Sequence, residues 1–370
     1  MTGSSSYPGM FLSALAAALC LLASSAAAFS PLLPSQSVSA SASVSGSASA
    51  SSATSAATTT LLSMAAVPPS ADSTVGIFGR GYVSVLLAKL AAVRGYTSFL
   101  IAPDGELETI KELLVEDDDE DGGMNGFMDR LTIVDVADLD TLESKLMEMD
   151  ALLLASDYPS NPPASAAVID LLLKPERSSK CKRVVSMSRN LNGSGMGFLV
   201  KASRASANAQ VWDNSNPEEY QAFEASVKAA VAKLGGGADA AFFRAGTLKG
   251  GACGEVEADT FAPQYLSSKF YDQTKKDIIS WNLLFDCNVR GVRLEKGDVL
   301  KGPGGKAVFV ANSPEVNDGD TGRTSIAEAM VRCLEREGLQ DGADFGVATA
   351  EGRVPPSDEE WNSIFAGVGC

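Results

Sequence analysis

The residues best placed to do chemistry are a glycine turn, Gly79-Arg80-Gly81-Tyr82-Val83-Ser84, and an acid 25 positions after its first glycine, Asp104. Gly79 permits a tight turn. Gly81 lets the backbone approach a diphosphate, and a helix opening there offers unpaired N–H groups and the positive end of its dipole. Asp104 stands near the spacing expected of a carboxylate that accepts from a ribose hydroxyl. Ser84 replaces the third glycine of such loops and is small enough to keep the helix against its strand. Other chemistries are closed. The chain has no histidine, which excludes Ser-His-Asp and Cys-His nucleophiles, histidine general bases and histidine-ligated metals. Its six cysteines form no CxxC pair, so no zinc site or disulfide framework can be read, and single buried thiols are expected.

These residues need a strand before the turn and a helix after it. Thr74 to Phe78 is a short apolar run that fits a buried parallel strand. Val83, Leu86, Leu87 and Leu90 then recur on one helix face, Gly95 stops the helix, and Thr97 to Ala102 is a second strand. The alternation continues with a helix over Glu106–Val115, strands over Leu131–Val136 and Ala151–Ser156, a helix over Pro163–Leu173, and strands over Arg183–Ser188 and Ala240–Gly246. Asp140 and Glu143 read as a capping box for the helix carrying Leu142, Leu146 and Met149. Asn216-Pro217-Glu218-Glu219 opens another helix with proline in its first turn. Residues 263–290 and Ile326–Leu334 also read as helical, and Asp298 to Gly305 as turns around short strands. Trp281, Phe285 and Trp361 read as core. Glu116–Gly123 is a charge run expected to form a solvated loop, and Gly193–Gly197 a flexible connection or pocket edge. The expected architecture is α/β: a doubly wound parallel sheet of Rossmann type with a small C-terminal substrate lobe from about residue 247.

Several segments resemble the atypical short-chain dehydrogenases. They are Ile133-Val134-Asp135-Val136-Ala137-Asp138 with Leu142 and Asp150–Leu153, Arg183–Ser188, Phe243–Leu248, Thr324–Ala329, and Trp361 in its Glu-Trp…Phe context. The resemblance spans about 72–365, although the glycine loop is one residue shorter than that family's. It implies an NAD or NADP site, with Gly79, Arg80, Gly81 and Ser84 on the phosphates and Asp104 on the adenosine ribose. Asp135 and Val136 would lie on the adenine, Ala155 and Ser156 beside the nicotinamide ribose, and Ser188 at the reacting end. Asp104 favours NAD, whereas Arg80 suits the 2′-phosphate of NADP, and the choice stays open.

Hydride chemistry in that family uses a tyrosine acid/base and a lysine four residues on, which lowers the tyrosine's pKa. The matching helix reads Tyr220-Gln221-Ala222-Phe223-Glu224, with Glu224 in the lysine's place. In the family's alternative register, Tyr220 itself replaces the lysine. The strings Tyr265–Lys269 and Tyr271–Lys275 match the spacing but read as surface helix. Two functions follow. One is a cofactor-binding scaffold, sensor or assembly factor without the standard catalytic pair. The other is an NAD(P)H-dependent oxidoreductase of a small metabolite that uses Tyr220 or Ser188 unconventionally. A ligand-free Rossmann shell is a third reading.

Residues 1–71 contain no Lys, Arg, Asp or Glu, so the whole net charge of −16 belongs to the remaining 299 residues. That acidity argues against nucleic acid as a partner. Met10 to Ala28 reads as a cleaved signal-peptide core and Phe29 to about Ala71 as a Ser/Ala-rich tract unable to bury a core. The junction around Phe29 resembles the bipartite presequences of algae with secondary plastids. It implies plastid import, plastid protein partners and no stable membrane span in the mature chain; the alternative is secretion.

Overall fold

In a computed structural model, the described residues are 69–70, 72–103, 105–115, 125–157, 161–191, 217–250, 255–257, 260–261, 264–270, 290–300, 319–352 and 354–370. Residues 1–68, Asp104, the 116–123 charge run, the 193–197 loop, the second tyrosine–lysine string, Trp281 and Phe285 lie outside them.

In chain order the strands of the main sheet are β1 (Thr74–Arg80), β2 (Thr97–Ala102), β3 (Leu131–Asp135), β4 (Ala151–Ser156), β5 (Arg183–Arg189), β6 (Asp239–Ala245), β10 (Gly291–Lys296) and β12 (Ala343–Ala350). The central strands β1, β2 and β4 to β6 are buried on both faces, whereas the edge strands β3 and β10 are partly exposed. Short pairs are formed by β7 (Thr247–Lys249) with β11 (Asp320–Gly322), and by β8 (Glu255–Glu257) with β9 (Thr260–Phe261). The eight strands lie in the order β10-β12-β6-β5-β4-β1-β2-β3. All neighbours are parallel except the edge strand β10, which runs antiparallel to β12. The 3-2-1-4-5-6 core of that order defines a Rossmann sheet, and its reversal point lies between β1 and β4.

Period-2 alternation sends side chains to two separate cores. Val75, Ile77, Leu153, Val185 and Phe243 face one layer of helices, whereas Leu152, Leu154, Val184 and Phe242 face the other. The first layer holds α1 (Tyr82–Val93), α2 (Leu107–Leu114), α6 (Arg323–Cys333) and α7 (Asp358–Gly367). The second holds α3 (Leu139–Glu148), α4 (Ala166–Leu172) and α5 (Pro217–Leu234). This is a three-layer α/β/α sandwich. Trp361 and Phe365 of α7 are core residues, as the sequence predicts for Trp361.

Helix α1 departs from its sequence pattern. Four periodic apolar residues predict one buried face, yet every residue from Val83 to Ala92 is buried. The cause is company: α6 and α2 pack against it as well as the sheet. Lys89 is drawn into this environment, its Nζ donating to the Leu114 carbonyl at 2.8 Å while lying over the Phe127 ring. Helix α3 is capped by Asp138, which accepts from the Thr141 amide, rather than by the Asp140–Glu143 box that the sequence predicts. At the amino ends of the strands, Arg183 makes two bonds to Asp239 and donates to the carbonyls of Cys333, Leu334 and Arg336, closing the C-terminus of α6.

Candidate functional site

The sequence predicts a turn from Gly79 onward, but Gly79 and Arg80 continue β1 in register with Ala155 and Ser156 of β4, and the bend before α1 falls on Gly81. Gly79 has φ 150°, and a Cβ there would lie 1.6 Å from the Ala155 carbonyl oxygen. Gly81 has φ 88°, and its Cβ would lie 2.8 Å from that of Asp157. Both positions therefore exclude a side chain, but the immediate neighbour that demands it is the β4 chain. Ser84 is buried, and its hydroxyl donates to the Gly81 carbonyl at 2.7 Å, holding the shortened turn shut.

The N-terminus of α1 already meets an anion. The Val83 amide donates to Asp157 Oδ1 at 2.9 Å, and the other carboxylate oxygen accepts from Arg323 Nε at 2.9 Å. Arg323 also donates to the Gly250 carbonyl at 2.6 Å. Asp157 and Arg323 are both buried. The Asp157 carboxylate uses a donor that a diphosphate at this terminus would use and opposes its charge. The same ion pair places the Arg323 cation beside the helix terminus.

The remaining cofactor candidates are distributed as follows. Arg80 ends β1 and is half-buried. Ala155 and Ser156, at the end of β4, are buried. Asp135 ends β3 beside Ala102 of β2, and its carboxylate accepts from the Ala137 amide at 2.8 Å, a local turn contact; Val136 is buried. Asp104 lies outside the described residues.

The two catalytic candidates are engaged in different networks. Ser188, fully buried on β5, donates to Glu224 Oε1 at 2.5 Å. Glu224, on α5, is gripped by Arg244 through two bonds of 2.6 and 2.9 Å. Arg244 reaches on to Asp344 of β12 at 3.1 Å. Burial opposes the charge of Arg244, but Glu224, Asp298 and Asp344 outweigh it, and its pKa lies above the ordinary guanidinium value. The Tyr220 hydroxyl donates to the Asn161 carbonyl at 2.9 Å. Thus Glu224, four residues after Tyr220, is an anion locked to an arginine.

No protein-family model matches the chain, and no curated protein does either. Solved structures do. A short-chain dehydrogenase/reductase from Veillonella parvula has 11% identity, covering 77% of this chain and 99% of that one with a TM-score of 0.41. The UDP-N-acetylglucosamine 4-epimerase of Bacillus cereus has 11% identity over 79% and 82% of the two chains, with a TM-score of 0.34. At that level of likeness neither ligand nor reaction carries over, and the fold rests on the strand order itself.

Sequence reading missed Asp157, Arg323 and Arg244 as site residues. Arg323 precedes a segment singled out for its resemblance, but nothing local indicates that it meets Asp157, 166 positions away. The surface reading of Tyr265 is also corrected: it is buried, and its hydroxyl donates to Glu328 at 3.4 Å, in a small cleft lined by Arg290, Thr324 and Trp361. Burial pushes its pKa far above the ordinary phenol value. Leu266 and Phe270 pull that segment into the core. Cys181 and Cys333 are buried free thiols whose pKa burial raises to about 12. Among the described residues no group of His, Cys, Asp and Glu gathers as a metal site, and no helix is long and apolar enough to cross a membrane.

Proposed function

We propose that this chain is a dinucleotide-binding scaffold or sensor of Rossmann architecture that does not carry out the tyrosine–lysine hydride transfer of short-chain dehydrogenases. The observation that carries this reading is Glu224. In the register that makes Tyr220 the acid/base it stands where the lysine would; it accepts from Ser188 and is held bidentately by Arg244. A lysine there would lower a tyrosine's pKa, whereas a carboxylate raises it.

The ligand class is NAD or NADP. Support comes from the glycine bend at the sheet's reversal point, with Gly79, Arg80, Gly81 and Ser84 around the diphosphate. Asp104, Asp135 and Val136 serve the adenosine half, and Ala155 and Ser156 the nicotinamide ribose. When bound, the group supplies a redox-sensitive ligand. The chain's part is to seat it, and Asp157 has to leave the Val83 amide for the helix terminus to do so. Following the presequence, the site of action is the plastid, and the output is contact with another plastid protein.

The test is fluorescence titration with NADH and NADPH, followed by hydride-transfer assays on small aldehydes and ketones. The expected result is saturable binding of one dinucleotide without turnover. Turnover that disappears in Tyr220→Phe would overturn the scaffold reading in favour of an oxidoreductase. Absence of saturable binding by either dinucleotide would leave a ligand-free Rossmann shell.

A further inference from the structure

At the carboxyl end of β5, two consecutive polar side chains are sealed from water. Arg189 is 2% exposed and Asn190 1%. Arg189 Nη1 donates to the Gly246 carbonyl at 2.9 Å, which fixes the guanidinium against the end of β6. Its Nε and Nη2 have no partner, and neither do the Oδ1 and Nδ2 of Asn190. The backbone beneath them is well anchored: the Asn190 amide donates to the Ala245 carbonyl at 3.0 Å, and Arg189 is in register with Ala245. Other cations in the region have their carboxylates. Arg244 has Glu224 and Asp344, Lys249 has Asp320 at 2.7 Å, and Arg323 has Asp157. Among the described residues none pairs with Arg189.

A buried guanidinium without a counter-charge is expensive, and native proteins leave few buried donors unmet. The two unmet donors of Arg189 are also a particular pair. Nε and one Nη form the side-on fork that grips the two oxygens of a carboxylate. Asn190 adds an amide with a donor and an acceptor, which suits a hydroxyl, carbonyl or amide next to that carboxylate. The place is the carboxyl end of an open α/β sheet, where ligands of such sheets bind.

We propose that Arg189 and Asn190 form a binding site for a small organic carboxylate bearing a polar group beside it. Charge decides between anions: one carboxylate balances one guanidinium, whereas a phosphate dianion leaves a negative charge buried in excess. The site is independent of the dinucleotide reading and stands or falls without it.

The experiment measures the thermal stability of the whole chain against sodium glycolate and sodium acetate, with inorganic phosphate and sodium chloride at matched ionic strength. The expected result is a saturable rise in Tm with the carboxylates, glycolate acting at lower concentration than acetate, and no rise with phosphate or chloride beyond ionic strength. Arg189→Lys keeps the charge and loses the fork, so the glycolate concentration for half effect rises at least ten-fold. Arg189→Met loses the response and, unliganded, melts no lower than the wild type, because it removes an unpaired buried charge. The proposal is overturned if phosphate stabilises as well as the carboxylates, if carboxylates do no better than chloride, or if Arg189→Lys responds as the wild type does. A clear loss of unliganded stability in Arg189→Met would equally overturn it, by marking the arginine as a structural prop.

Discussion

Glu224 carries two jobs on one carboxylate: it neutralises Arg244 and accepts the Ser188 hydroxyl. Arg244 and Glu224 are both buried, so removing either partner leaves a charge in a poor solvent. Breaking such a pair costs about 3–5 kcal/mol. Glu224→Ala should lower unfolding stability by that amount in urea denaturation. Asp344 is more exposed than Glu224 and holds Arg244 by longer bonds, so Asp344→Ala should cost markedly less. Equal losses would show that Glu224 has no special place in the network. Installing a cation with Glu224→Lys should give no dehydrogenase activity, since it sets two positive groups against each other and strips Ser188 of its acceptor. The sequence shows an acid four residues after Tyr220. It does not show what the acid does, because Arg244 sits on a neighbouring strand and its partnership appears only once α5 lies across the sheet.

At the scale of elements, the helix termini set local stability. Helix α7 has a full capping box: the Glu360 amide donates to Ser357 Oγ, and the Ser357 amide donates to the Glu360 carboxylate at 2.7 Å. Ser357→Ala should cost about 1 kcal/mol, read as a fall in denaturant midpoint at unchanged slope. Asp138 does similar work for α3 through its charge. The Thr141 hydrogen bonds hold its carboxyl pKa below the ordinary value. A depressed folded pKa contributes stability that is complete above the unfolded pKa and is lost as pH falls through the folded one. The stability gap between wild type and Asp138→Ala should therefore be present at neutral pH and close in acid; a gap that persists there would remove the charge from the account. The elements were legible in proportion to their local signals. β2 and β4 match the sequence expectation at both ends because each is a short run of buried apolar residues. β12, Ala343–Ala350, was missed: its Asp344, Gly346 and Thr349 interrupt any alternation, and only its place beside β6 makes it a strand. The cap of α3 was displaced by two residues because Asp138 and Asp140 are chemically equivalent signals.

Across the whole molecule, the Asp157–Arg323 pair joins the end of β4 to the start of α6 and closes both over the α1 terminus. A glycine turn is visible in a sequence; a carboxylate that reaches it from the next strand over is not. This pair sets the terms of dinucleotide binding. Two unit charges about 4 Å apart interact by about 4 kcal/mol at an effective dielectric near 20, so an unreleased Asp157 weighs heavily against a diphosphate at Val83. Asp157→Asn keeps the size and the acceptor for the Val83 amide while removing the charge. It also frees Arg323, whose guanidinium is then available to the diphosphate. If the chain binds dinucleotide through this turn, Asp157→Asn should tighten NADH or NADPH binding at least ten-fold, roughly 1.4 kcal/mol, in the same fluorescence titration. It should also lower unliganded stability, because a buried cation loses its partner. Tighter binding at reduced stability is the signature of a latch that holds the apo fold together by occupying its ligand's place. Unchanged or weaker affinity would mean that the diphosphate does not approach this helix terminus.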